Sequence, residues 1–170
     1  VTEAYVAAGS NVEPILNLRR ALDVLATQFA PLRVSHAYRN AAVGFTGDDF
    51  VNLVVGFDTD LPVGAVIERL HEAEAACGRA RNAPKWAPRS MDLDILLFGD
   101  SVCEEPGLIL PRPDLVRRPY MLGPMAELAP DLRHPTLGLT LGELWQRFDR
   151  DAHAMQVVDL GWRSGRARPR

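Results

Sequence analysis

The chain has 170 residues, 47% of them apolar and 24% charged, with a formal net charge of −3. That length suits one domain able to bury a core without staples, and that balance excludes a disordered or membrane-spanning chain. A negative balance argues against a whole-surface field for nucleic acid, and the two isolated cysteines, Cys77 and Cys103, have neither metal-ligand spacing nor the density of a disulfide scaffold.

Residues 3–8 read as a buried strand without the basic flank or cleavage site of a secretory signal, closed by the turn cluster Gly9-Ser10-Asn11. Pro14 stands where a helix begins, and Ile15, Leu18, Leu22, Leu25 and Phe29 then recur at three and four residues, one apolar stripe that Pro31 ends. Residues 32–39 alternate as a strand with Val34, His36 and Tyr38 on one face, and residues 50–58 form another. A second helix follows Pro62, with Val63, Val66, Ile67, Leu70 and Cys77 as its stripe and Gly78 as its stop. Residues 91–98 are apolar enough to be covered on both faces.

The order βαββαβ is the split βαβ arrangement, an α+β sandwich whose antiparallel sheet carries both helices on one face. The remainder is Pro-rich over residues 106–135 and offers a short helix pattern over 139–148, so it reads as an extension wrapped on the sandwich. One domain over residues 1–160 and a loose basic tail over 161–170 are expected.

Asp92 and Asp94 lie two apart on a strand, so their carboxylates share a face while Met91, Leu93, Ile95 and Leu97 point to the other. Adjacent carboxylates repel unless a cation sits between them, and hard oxygen ligands on a rigid strand suit Mg²⁺. A solvated strand end or an arginine-paired couple explains two aspartates equally well. The segment just upstream, with Arg79, Arg81, Lys85, Trp86 and Arg89, has the composition of a phosphate-handling lid. A second basic cluster is Arg112, Arg117 and Arg118. Glu74 falls inside an apolar helical stripe and needs a partner, either an arginine or a ligand site beside it. Phe50 and Asn52 share a strand face and offer an aromatic surface beside an amide, which suits a flat heterocycle.

These residues carry a resemblance. Residues 5–11 (YVAAGSN), Tyr38-Arg39, residues 50–52 (FVN) and above all residues 78–99 (GRARNAPKWAPRSMDLDILLFG) resemble the 6-hydroxymethyl-7,8-dihydropterin pyrophosphokinase family of folate biosynthesis. The resemblance implies a ferredoxin-like fold and transfer of pyrophosphate from ATP to a pterin alcohol. It implies two Mg²⁺ ions held by Asp92 and Asp94, with Arg79 and Arg89 neutralising phosphates as catalytic groups. ATP would be met by His71, Glu74, Arg81, Trp86, Arg89, Ile95, Arg112 and Arg118. The pterin would be met by Asn40, Ala41, Val43, Phe50, Asn52 and Tyr120. The partners implied are ATP and a reduced pterin, with no nucleic acid or membrane, for a cytoplasmic monomer that can associate with other folate enzymes. Asn40-Ala41-Ala42-Val43-Gly44 departs from the family's Thr-Pro-Pro loop, Tyr120 stands where phenylalanine is common, and Arg112-Pro113 replaces a His-containing pair. A palm-type nucleotidyl transferase and a non-catalytic ligand-binding module of the same fold are the alternatives.

Overall fold

The computed structural model of the chain describes residues 1–40, 49–78, 90–149 and 155–163. The elements run β1 (Thr2–Ser10), α1 (Pro14–Phe29), β2 (Arg33–Val34), β3 (Ala37–Asn40), β4 (Phe50–Thr59), α2 (Val63–Ala76) and β5 (Asp92–Phe98). A hairpin of β6 (Cys103–Glu105) and β7 (Leu108–Leu110) follows, then a 3-10 turn (Pro113–Val116), α3 (Pro119–Leu128), α4 (Leu141–Arg147) and β8 (Gln156–Val158). The main sheet is ordered β5-β1-β4-β3-β8, with β2 also on β4, and its pairs are antiparallel. This is the α+β, ferredoxin-like arrangement expected from the element order.

Both faces of the sheet are buried. Leu18, Leu22, Leu25 and Phe29 of α1 and Val66, Leu70 and Ala73 of α2 pack on Val6, Leu53, Phe57, Leu93 and Ile95. Phe29 stacks on Phe57 with centroids 4.1 Å apart. On the other face Tyr5, Ala7, Val54, Leu96 and Leu97 meet Leu115, Met121, Leu122, Met125 and Leu141. The C-terminal part is therefore a third layer with a core of its own. Its last described segment crosses to the first layer, where Leu160 joins that core and the Trp162 indole N–H donates to Asp23 Oδ1 (2.8 Å). Trp162, expected in the loose tail, is docked.

Two irregularities correct the expected faces. Val6 pairs with Ile95 but Tyr5 with Leu97, so Leu96 is an inserted residue. Beyond that bulge the alternation reverses, and Leu97 joins the α3 side instead of following Leu93 and Ile95. Likewise Val34 pairs with Val55 but Tyr38 with Asn52, which inserts one residue between β2 and β3. Ser35 bridges the break: its N–H donates to Val54 O (3.0 Å), its hydroxyl accepts from Val54 N–H (2.9 Å) and donates to His36 O (2.8 Å). Val34 thus packs toward the helices α1 and α2, while His36 and Tyr38 reach Glu127 of α3 on the opposite side.

Candidate active site

The register of three strands places the polar residues. Gly9 at the end of β1 pairs with Asn52 on one side and Asp92 on the other, and Ala7 pairs with Asp94. Paired residues share a face, so Asn52, Gly9 and Asp92 form one row on the α3 side of the sheet, with Tyr38 continuing it beyond Asn52. Two strand spacings separate the Asn52 and Asp92 backbones, about 10 Å. A Cβ on Gly9 would lie 2.6 Å from Asn52 Nδ2, so glycine is what lets the amide lie across the middle strand. Phe50, facing Asn40 in the register, lies one row further out.

Charge enters this face from the third layer. The Arg112 N–H donates to Leu96 O (3.0 Å), and its Nη2 stands 3.8 Å from Asp94 Oδ1. Arg118 is the N-cap of α3, and Tyr120 sits in its first turn. Burial raises the Tyr120 pKa, with Arg118, Asp114, Asp94 and Arg112 near enough to act on it electrostatically. The phenol is therefore neutral at ordinary pH.

A second group lines the outer edge of β5. Glu74 Oε2 accepts the Leu93 N–H at 2.8 Å. A backbone amide is thus one partner of the carboxylate that the helical stripe leaves in need of one. His71 lies three residues earlier on α2, hence on a neighbouring part of the same surface. The Ile95 side chain is buried on the helix side, away from the two aspartates. Ladder alternation turns its backbone N–H outward along with that of Leu93, so contact with a ligand at this edge falls to its main chain.

Among the described residues, five buried side-chain polar atoms lack a hydrogen-bond partner: Asn40 Oδ1, Asn52 Oδ1, His71 Nδ1, Arg112 Nε and Arg118 Nε. All five belong to residues that the family resemblance assigns to ligand binding. An unmet buried polar group costs about 1–3 kcal/mol, a cost that ordered water or the polar atoms of a ligand would remove. Asp92 and Asp94, partly buried on one strand face, offer hard oxygen donors. No group of three or more His, Cys, Asp or Glu side chains able to hold a metal is assembled among the described residues. Two carboxylates with no third such ligand among the described residues fit Mg²⁺ completed by water and substrate phosphate, rather than a structural metal cage.

Ala41, Val43, Arg79, Arg81, Trp86 and Arg89 lie outside the described residues. Gly9 as the notch beneath Asn52 escapes sequence reading, which finds only a turn there. Glu127 escapes it too. Its carboxylate accepts from the Tyr38 hydroxyl (2.7 Å) and the His36 N–H (2.9 Å) and lies 2.7 Å from His36 Nδ1, tying α3 to β3. Those partners are 89 and 91 residues away in sequence, and no local pattern announces them.

The profile of the 7,8-dihydro-6-hydroxymethylpterin-pyrophosphokinase (HPPK) family matches residues 5–130. The chain belongs to the HPPK family. A Synechocystis protein named 2-amino-4-hydroxy-6-hydroxymethyldihydropteridine pyrophosphokinase is 36% identical over 149 residues, covering 86% of this chain and 76% of that protein. A Pseudomonas aeruginosa HPPK of the same name is 37% identical over 139 residues, covering 79% and 85%. In fold, the chain is similar to the crystal structure of Plasmodium falciparum HPPK-DHPS with pteroate, at a TM-score of 0.68 and 13% identity. That match covers 86% of this chain and 44% of the longer Plasmodium one. Among the described residues, no helix is long and apolar enough to cross a membrane.

Proposed function

We propose that the chain catalyses Mg²⁺-dependent transfer of the β,γ-pyrophosphoryl unit of ATP to 6-hydroxymethyl-7,8-dihydropterin, giving AMP and the pterin diphosphate. The observation that carries this reading is the row Asn52, Gly9, Asp92, which sets an amide oxygen without a partner and a carboxylate pair on one face, with only the glycine of the middle strand between them. Asn52 and Asn40 read the polar edge of the pterin, whose flat ring lies between Phe50 and Tyr120. The hydroxymethyl group then extends over Gly9 toward the aspartates. There its oxygen attacks Pβ as the hydroxyl proton passes to solvent, the bond from Pβ to the α,β-bridging oxygen breaks, and AMP leaves with that oxygen.

Asp92 and Asp94 would hold two Mg²⁺ ions, which supply charge neutralisation at the attacking and leaving oxygens. One carboxylate of the pair also orients the substrate hydroxyl. Arg112 and Arg118 receive phosphate oxygens, and His71, Glu74 and the Ile95 main chain meet the nucleotide along the β5 edge. Arg79, Arg81, Trp86 and Arg89 complete the phosphate side on the strength of the sequence pattern alone. We place the reaction in the cytoplasm, and association with other folate enzymes is part of the same reading.

The test is AMP formation by purified protein supplied with MgATP and the pterin, with Asp92→Ala and Asp94→Ala as controls. Pterin-dependent AMP from the wild type is expected, reduced by at least about a hundredfold in either variant. Its absence from the wild type would sink the proposal, and release of pyrophosphate instead would point to nucleotidyl transfer.

A further inference from the structure

We propose that Arg112 is a built-in counter-cation for Asp94 that makes divalent-metal binding at the aspartate pair depend on the nucleotide. This rests on the reading of Asp92 and Asp94 as metal ligands.

The base of Arg112 is held by its main chain. Its N–H donates to Leu96 O (3.0 Å), two residues beyond Asp94 on the same strand, and its carbonyl accepts from Leu115 N–H (3.1 Å). The bulge at Leu96 presents that carbonyl to the third layer, so the side chain starts beside the carboxylates. Its guanidinium nevertheless makes only half a contact. Nη2 is 3.8 Å from Asp94 Oδ1, within Coulombic range but well beyond the 2.7–2.9 Å of a charge-assisted hydrogen bond. Nε is buried and has no acceptor. The fork thus stands as a positive charge beside Asp94 while its buried Nε donor goes unmet.

A phosphate can do what the carboxylate does not, because its oxygens can meet the Nε and Nη donors together. A divalent cation arriving alone meets a positive charge already beside Asp94 and gains less from the pair. When the triphosphate arrives, its oxygens draw the guanidinium toward themselves and the Asp94 oxygen is given over to the metal. Metal and nucleotide each tighten the other's binding, since such coupling is reciprocal. Arg112 therefore acts against metal alone and in favour of the metal-nucleotide pair.

The test is calorimetric titration with Mn²⁺ of the whole chain at low salt, with and without α,β-methylene-ATP, for wild type, Arg112→Gln, Arg112→Lys, Asp94→Asn and the double variant Arg112→Gln/Asp94→Asn. Without nucleotide, Arg112→Gln is expected to bind Mn²⁺ about tenfold more tightly than wild type. Arg112→Lys is expected to stay near wild type in Mn²⁺ affinity because it keeps the charge, yet to lose nucleotide coupling because it lacks the fork. Asp94→Asn is expected to bind Mn²⁺ weakly whether or not Arg112 is present. Unchanged or weaker Mn²⁺ binding by Arg112→Gln, with Asp94→Asn still impaired, would overturn the counter-cation role and leave the metal site standing. Undiminished Mn²⁺ binding by Asp94→Asn would instead remove the metal site itself, and this inference with it.

Discussion

Gly9 shows how one missing side chain sets a geometry that a neighbouring amide uses. Asn52 lies across it, and an added Cβ would approach Nδ2 to 2.6 Å. The clash falls on the side chain of Asn52 rather than on main chain, so Gly9→Ala turns the amide away without breaking the β1 and β4 pairing. The expected result is a KM for the pterin raised about tenfold, with KM for MgATP near wild type. Steady-state kinetics with each substrate varied in turn decide it, and an equal rise in both constants would show that the change disturbs more than the amide. Asn40, Arg112 and Arg118 are half-buried, each likewise with one buried polar atom that lacks a partner.

At the scale of elements, stability and site placement come from different parts of the same strands. β4 sends Val51, Leu53, Val55 and Phe57 into the core beneath α1 and α2, and Asn52 and Val54 to the opposite face. Leu22, 1% exposed in the middle of the α1 stripe, belongs only to the first of these faces. Leu22→Ala is expected to cost about 2–5 kcal/mol in urea unfolding, with the kcat of the remaining folded protein little changed. A large loss of kcat at a permissive temperature would mean that the helix layer also holds the site in register. The two bulges work at this scale as well. That at Leu96 brings the Arg112 main chain to β5, and that between β2 and β3 turns Tyr38 toward α3.

For the molecule as a whole, the third layer is what closes the site, and it is secured at both ends. Glu127 binds it to β3, and His134 orders the turn before α4. The His134 ring is buried, and Nδ1 accepts from the Thr136 N–H (3.3 Å) and the Leu137 N–H (3.2 Å), a role open only to the neutral imidazole. Burial lowers its pKa from the ordinary histidine value of 6.5. Below that value the unfolded chain binds more protons than the folded one. This contribution to stability is therefore full above the unfolded pKa and is lost as pH falls toward and through the folded one. Urea midpoints of the wild type should drop on acidification from neutrality, and His134→Asn should flatten that dependence. An unchanged slope in the variant would move the acid sensitivity elsewhere.

Periodicity by itself determined α1, α2, α4, the central strands and the placing of Asp92 and Asp94 on one face, because each of these depends on neighbours within a few residues, whereas α3 lay hidden in the Pro-rich stretch. The 78–99 run marked the family for the same local reason. Only the tertiary structure decided what crosses the chain: the bulges that reverse Leu97 and Tyr38, the notch at Gly9, the docking of Trp162 and the clamp at Glu127. A bulge depends on the register between distant strands, and the Glu127 contacts join residues about ninety positions apart. A pattern of period two or 3.6 carries no information about either. Asp94 and Arg112 illustrate the division: each is legible as a charge in the sequence, and their meeting is a product of the fold.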